Sequence, residues 1–169
     1  MICGIDPGFS GALSWYDEIK ERLVWCAAMP LTTNSAKVLS SETRVEVDLI
    51  ALSNLLRQSR PTLSVVERVN ASPQMGVTSA FRFGEGFGGI MGVLAAFEIQ
   101  TRLVYPNAWK AGYALSADKA ESTRLACKLF PEWSNTFLRG KKSADLAESA
   151  LLAYYGVRFL PTTAETIKK

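Results

Sequence analysis

Four carboxylates, Asp6, Glu67, Asp145 and Glu148, stand where an acid needs a reason. Asp6 closes the short apolar run Met1-Ile2-Cys3-Gly4-Ile5 and is followed by Pro7-Gly8. That places it at a strand end, where loops rather than core surround a side chain in an open α/β sheet. The simpler reading of Asp-Pro-Gly is a plain turn. Glu67 lies mid-strand in Ser64-Val65-Val66-Glu67-Arg68-Val69, on the same face as Leu63 and Val65 by period-two alternation. A carboxylate there is costly to bury unless it is paired or bound to a metal; the alternative is a strand-edge ion pair with Arg68. Asp145 and Glu148 are spaced i, i+3 behind Ser143, read as an N-cap, and so project from one face of a helix. Either acid alone would simply answer the helix dipole. The rest of that segment, Leu146 to Tyr155, is apolar nearly all round, which carries both acids into the protein rather than out to water.

Four acids cannot all be buried as free anions within a few ångströms of one another, so the set calls for a cation between them. The chain of 169 residues has no histidine, which removes Ser-His, Cys-His and His-ligated metal chemistry together. Its three cysteines, Cys3, Cys26 and Cys127, never form a C-x-x-C pair, so neither a zinc site nor a disulfide framework is expected. The remaining donors are hard oxygens, which select Mg²⁺, with Mn²⁺ as a substitute, over zinc or copper. Two such ions about 3.5–4 Å apart clamp the attacking water and the leaving oxygen of a phosphodiester. Lys and Arg number 19 against 16 Asp and Glu; with the four acids set aside, 19 cations face 12 acids. An acidic pocket on a basic surface suits a polyanionic substrate, although the same balance also describes an ordinary soluble surface.

The elements that must hold these residues are legible in outline. Met1–Asp6, Gly11–Tyr16 and Arg22–Ala28 read as strands of an antiparallel meander, joined in part by Asp17–Lys20. Pro30–Ser41, rich in Thr, Ser and Asn, reads as a loop and as the most mobile segment. Asp48 caps a helix carrying Leu49, Leu52, Leu55 and Leu56, which the stretch Arg57–Pro61 ends. Thr62–Val69 is a strand, Val77–Ile99 a glycine-dense helix, Leu103–Tyr105 a short strand and Pro106–Lys110 a turn into a helical stub. Asp118–Phe130 and Ser143–Tyr155 are helices, the second with Gly156 as its C-cap. Asp118-x-x-Glu121 reads as a capping box that puts Lys119 in a first helical turn, against the dipole unless an anion binds there; otherwise it is a solvated lysine. One mixed α/β domain over residues 1–156 and a polar tail over 157–169 are expected. No apolar run of about 18 residues is present and the N-terminus lacks a basic leader, so neither a membrane span nor export is expected. A reducing cytoplasm is the expected compartment.

Gly4-Ile5-Asp6-Pro7-Gly8, then Val65-Val66-Glu67, then Lys142-Ser143-Ala144-Asp145-Leu146-Ala147-Glu148-Ser149-Ala150 carry a resemblance over residues 1–156. In that order and spacing the chain resembles the RuvC-type Holliday-junction resolvases, crossover-junction endodeoxyribonucleases of the RNase H-like superfamily. The resemblance implies an RNase H-like α/β fold. Its five-stranded mixed sheet has an antiparallel β-meander followed by parallel strands, is flanked by helices, and sets the first and fourth strands side by side, with Asp6 next to Glu67. It also implies a Mg²⁺-dependent, homodimeric endonuclease acting on four-way or other branched DNA and leaving a 5′-phosphate and a 3′-hydroxyl. Asp6, Glu67, Asp145 and Glu148 would be its metal ligands, and Lys110 and Lys119 its basic residues near the scissile strand. Glu148, where bacterial members usually have Asp, resembles phage and organellar relatives, so the resemblance implies a phage-like member in the cytoplasm of a bacterial cell or of a phage-infected host. Asn70 stands where many members carry an aromatic wedge, which leaves Phe81, Phe83 or Phe87 to replace it unless these are core. RNase H proper, with a helix-borne second acid, and a non-catalytic DNA-binding module of the same fold are the competing readings. A kinase-like ATPase, which also opens on an Asp-x-Gly hairpin, needs a second lobe that this length does not supply.

An isologous dimer would suit a junction with two equivalent strands to cut. Gly84, Gly88 and Gly92 recur every four residues and form a smooth stripe for such an interface, flanked by Phe87, Ile90, Met91 and Leu94. The competing account turns the stripe onto the protein's own sheet and makes Gly84–Gly89 partly loop.

Overall fold

Alternation along the first strand sends Ile2, Gly4 and Asp6 to one face of a sheet and Cys3 and Ile5 to the other, and each face has its own apolar core. The structure, a computed structural model, describes residues 1–34, 44–70 and 74–160. Strands β1 (Ile2–Asp6), β2 (Ala12–Asp17) and β3 (Arg22–Ala28) form the antiparallel meander. Strands β4 (Leu31–Asn34) and β5 (Arg44–Val47) pair with each other in a separate two-stranded sheet. Helix α1 (Leu49–Ser59), β6 (Leu63–Glu67), helix α2 (Val77–Ala96) and β7 (Gln100–Val104) follow. The chain continues through α3 (Pro106–Gly112), α4 (Lys119–Leu129), a 3-10 turn (Pro131–Trp133), α5 (Ser134–Leu138) and α6 (Ser143–Arg158). None of the described helices is long and apolar enough to cross a membrane.

The main sheet runs β3-β2-β1-β6-β7, with β1, β6 and β7 mutually parallel, so the first and fourth of its strands in chain order are neighbours. Helices α1 and α2 cover one face, burying Leu52, Leu56, Ile90 and Leu94 against Ile5, Leu13 and Val66. Helix α6 lies across the other face, against β1, β2 and β6, and buries Ala147 and Ala150 to Ala153 with Ile2, Val65 and Tyr16. Its closeness to β1 explains Gly4, because a Cβ there would collide with the backbone of Ser149 and Ala153. Ser14 and Ser149 share a hydrogen bond of 2.6 Å across the same contact. Gly156 plays a similar part rather than capping the helix: a Cβ would stand 2.8 Å from Val65 Cγ2, and the helix continues to Arg158.

Other sequence expectations shift in the structure. The segment read as a loop from Pro30 opens as β4, because Leu31, Thr32 and Thr33 find a partner strand in Val45–Val47 that local composition does not reveal. Residues 35–43 of that expected loop, Pro73 and the tail beyond residue 160 lie outside the described residues. Helix α2 stops at Ala96, not Ile99: Phe97 is its C-cap, and Glu98, at φ 55°, turns the chain into β7. That strand runs Gln100–Val104 rather than Leu103–Tyr105, because it is drawn out along β6 from Leu63 to Glu67. Gly84, Gly88 and Gly92 would each place a Cβ in open space, so the stripe faces away from the sheet and Gly84–Gly89 is helical throughout. The inward glycines are Gly86 and Gly89, which meet Val47 and Leu49. Ile90 and Leu94, expected beside the outer stripe, are core, and Phe87 and Met91 pack against the same core.

Candidate metal centre

The parallel register of β1 and β6 pairs Ile2 with Leu63 through to Ile5 with Val66, and one further step brings Asp6 level with Glu67. Both acids are the last residues of their strands, so Glu67 sits at a strand end rather than mid-strand. Arg68 does not pair with it: its guanidinium lies 5.2 Å from the centre of the Tyr105 ring. From above, α6 brings Asp145 and Glu148 in its first two turns, 7% and 5% exposed. Ser143 is the first helical residue, not the cap; Lys142 holds the cap position, and its Nζ donates to Phe9 O at 2.7 Å. That bond ties the start of α6 to the turn that follows Asp6.

Donor oxygens of Asp6, Asp145 and Glu148 lie within 4.8 Å of one another. Glu67, on the neighbouring strand, is not part of that cluster; its Oε1 accepts from the indole Nε1 of Trp109 at 2.8 Å. Two lysines close the site. Lys110 Nζ is 2.8 Å from Glu148 Oε1, while Lys119 Nζ is 2.7 Å from Asp145 Oδ1 and 3.5 Å from Glu148 Oε2. Ser122 Oγ donates to Glu148 Oε1 at 3.2 Å. Lys119 is the first residue of α4, behind the N-cap Asp118, whose side chain accepts from Ala120 N. The expected capping box does not form: Asp118 caps through Ala120 N rather than Glu121 N, and Glu121 accepts from Ser116 N rather than Asp118 N. Trp109, Ser122 and Lys142 were not singled out by residue type and spacing. The available signal was a tryptophan immediately before Lys110, since an indole N–H buried in a core needs an acceptor.

Burial first, and then the charges of Glu67, Glu148 and Asp145, push the Asp6 carboxyl up to about 7. Burial also raises Glu67, opposed by its hydrogen bond from Trp109. Burial alone would lower the Lys119 ammonium, but its bond to Asp145 and the charges of Glu148, Asp145 and Asp6 outweigh that and hold it above the usual lysine range. An Asp raised from 3.8 to about 7 binds more protons in the native state than in the unfolded state over that interval. Its contribution to stability is therefore complete below about pH 4 and is lost as pH rises through about 7. In chelator, urea unfolding should give a stability that falls from pH 4.5 to pH 7, by about 1–3 kcal/mol allowing for partial solvation, and Asp6→Asn should remove most of that slope. A slope unchanged by Asp6→Asn would reject this origin.

The donor set fits a hard divalent cation. The clustered oxygens are carboxylates from one strand end and one helix, and among the described residues Asp6 has neither an ion pair nor a hydrogen bond to offset its burial.

No family model and no curated protein sequence matches the chain. Among solved structures it is similar to Thermus thermophilus RuvC in complex with a Holliday junction substrate, at TM-score 0.62 and 17% identity over 94% of this chain and 96% of that one. The fold is that of the RuvC-type resolvases. The fowlpox virus resolvase, in a complex with Holliday junction DNA, superposes at TM-score 0.60 and 17% identity over 91% of this chain and 96% of its own. The yeast mitochondrial Holliday junction resolvase does so at 0.52 and 16%, over 90% and 76%. Within this RuvC fold, Asp6 and Glu67 end adjacent parallel strands, and α6 supplies the other two acids. The wedge position, Asn70, is exposed; of the three phenylalanines weighed as replacements, Phe81 is 65% exposed rather than core, whereas Phe87 packs against the core.

Proposed function

We propose that this protein is a divalent-metal-dependent endonuclease that resolves four-way or other branched DNA junctions by phosphodiester hydrolysis. The observation that carries the reading is the convergence of Asp6, Asp145 and Glu148 within 4.8 Å, beside Glu67, on a RuvC fold. Those four acids would hold Mg²⁺, two ions per site with Mn²⁺ as substitute. When bound, such ions polarise the phosphodiester and lower the pKa of an attacking water. The chain's own residues do the rest. Ser122 and Lys110 orient Glu148. Lys119, paired with Asp145 and Glu148 but with its side chain 54% exposed, would turn a further ammonium hydrogen toward a phosphate oxygen of the incoming strand. The surplus of cations outside the site favours the DNA backbone. Glu148 in place of Asp favours the phage or organellar type of such enzymes. Synthetic four-way junctions cut in Mg²⁺ but not in chelator, with an RNA–DNA hybrid of the same sequence left intact, are the expected result. Cleavage of the hybrid alone, or of neither, rejects the proposal.

The active form is a homodimer built on the outer face of α2. Gly84, Gly88 and Gly92 leave a smooth stripe there, next to Val77 and Phe81, which are 86% and 65% exposed. A second copy laid on that stripe in two-fold symmetry presents two sites to the two equivalent strands of a junction, and Phe81 is the aromatic residue available to enter its centre. Gly88→Leu should convert the dimer to folded monomers, seen as a halved mass in light scattering with an unchanged far-ultraviolet spectrum. A monomeric wild type at micromolar concentration, or a Gly88→Leu dimer of undiminished affinity, rejects this interface.

A further inference from the structure

Consecutive residues of α3 reach two different acids of the site. Trp109 is fully buried and donates through Nε1 to Glu67 at 2.8 Å. Lys110 pairs with Glu148 at 2.8 Å and sets its ammonium 5.2 Å from the Trp109 ring. Helix α3 is itself fastened to α6, because Tyr113, its C-cap, donates through its hydroxyl to Leu151 O at 3.0 Å. Position on α6 therefore sets the position of the indole. Glu67 is the one candidate ligand outside the close cluster of Asp6, Asp145 and Glu148, and the charge of Glu148 acts on it unfavourably, opposed by Lys110 and Lys119. A glutamate with three rotatable bonds, among charges of both signs, needs a fixed donor to keep one orientation. An indole N–H is a donor only, and its bond to a carboxylate is charge-assisted.

We propose that Trp109 is a positioning residue for metal binding: by holding Glu67 Oε1 it keeps the carboxylate in one rotamer, ready for a cation. The inference rests on the metal-site reading above. Its role is that of the hydrogen-bonding shell around metal ligands, whose loss typically weakens metal affinity about 10- to 100-fold.

Mn²⁺ binding by the full chain, measured by calorimetry and electron paramagnetic resonance without DNA, tests it. Trp109→Phe, and replacement of Trp109 by 3-benzothienylalanine, which keeps the ring shape but has no N–H, should each weaken binding about tenfold. Neither change should have a further effect in a Glu67→Ala background, where there is no carboxylate to hold. In the metal-free protein, the indole N–H resonance lost in Trp109→Phe should also move in Glu67→Ala. A wild type that binds no Mn²⁺ overturns the metal-site reading and the inference with it. A wild type that binds, with unchanged affinity on loss of the N–H, overturns the positioning role alone. So does an equal loss in the Glu67→Ala background, or an indole resonance that Glu67→Ala leaves in place.

Discussion

Asp6→Asn, Glu67→Gln, Asp145→Asn and Glu148→Gln should each slow cleavage of a four-way junction by about a thousandfold or more, while the junction is bound as well as before or more tightly. On the proposed function each change removes one oxygen ligand from a set in which burial and then the neighbouring acids raise the Asp6 carboxyl, and with it the stabilisation of charge developing on the phosphate. Each change also removes an anion from a surface that must meet a polyanion, so affinity is kept or gained. Opposite effects on rate and affinity separate a ligand from a residue that merely supports the fold, whose loss would lower both. Single-turnover cleavage at saturating enzyme and gel-shift titration in Ca²⁺ measure the two quantities. A wild-type rate in any one variant removes that residue from the site.

Lys110→Ala and Lys119→Ala should both slow single-turnover cleavage at saturation, by about 100-fold, more than they weaken binding. Their effects on stability should differ, because their surroundings do. The Lys110 side chain is 14% exposed and faces a Glu148 side chain that is 7% exposed, so its removal leaves a buried carboxylate with only Ser122 and the longer contact to Lys119 as partners. Metal-free Lys110→Ala should lose about 3 kcal/mol. Lys119 is itself 54% exposed, so although Asp145 is only 10% exposed, water can take the place of the ammonium, and Lys119→Ala should cost about 1 kcal/mol, less than Lys110→Ala. Urea unfolding in chelator reads the stability and rapid-quench kinetics reads the rate. Two variants with unchanged single-turnover rates and reduced affinity alone would show that the lysines serve binding only.

Much of the site was open to a reader of residues. A strand-ending Asp before Pro-Gly, a Glu in phase with Leu63 and Val65, and two acids at i, i+3 on an apolar helix are local patterns, set by periodicities of 2 and 3.6 residues. Residue type alone confined the chemistry to oxygen donors, since no histidine exists in the chain. Those patterns also carried the meander, α1 and α6, whose apolar spacing matches the faces they bury. Less legible were the strand at Leu31–Asn34, the exact run of β7 and the end of α2, where a partner strand or a left-handed turn decides the outcome. Gly156 looked like a helix stop and is instead the point where α6 touches Val65, a role visible only once helix and sheet are packed.

By itself, then, the sequence determined which side chains are available, that Asp145 and Glu148 share a helical face, and that Asp6 stands at the end of a buried strand. Only the tertiary structure decided which of them meet. It gathers Asp6, Asp145 and Glu148 into one cluster, sets Glu67 beside it under the Trp109 indole, and places Lys110 and Lys119 as their counter-charges. It also turns one set of glycines on α2 outward and another toward Val47 and Leu49. The physical reason is range. Periodicity and capping act among residues a few positions apart, whereas Trp109 and Glu67 are 42 positions apart and Ser122 and Glu148 are 26 apart, so their hydrogen bonds exist only after the sheet register and the docking of α3, α4 and α6 have been chosen.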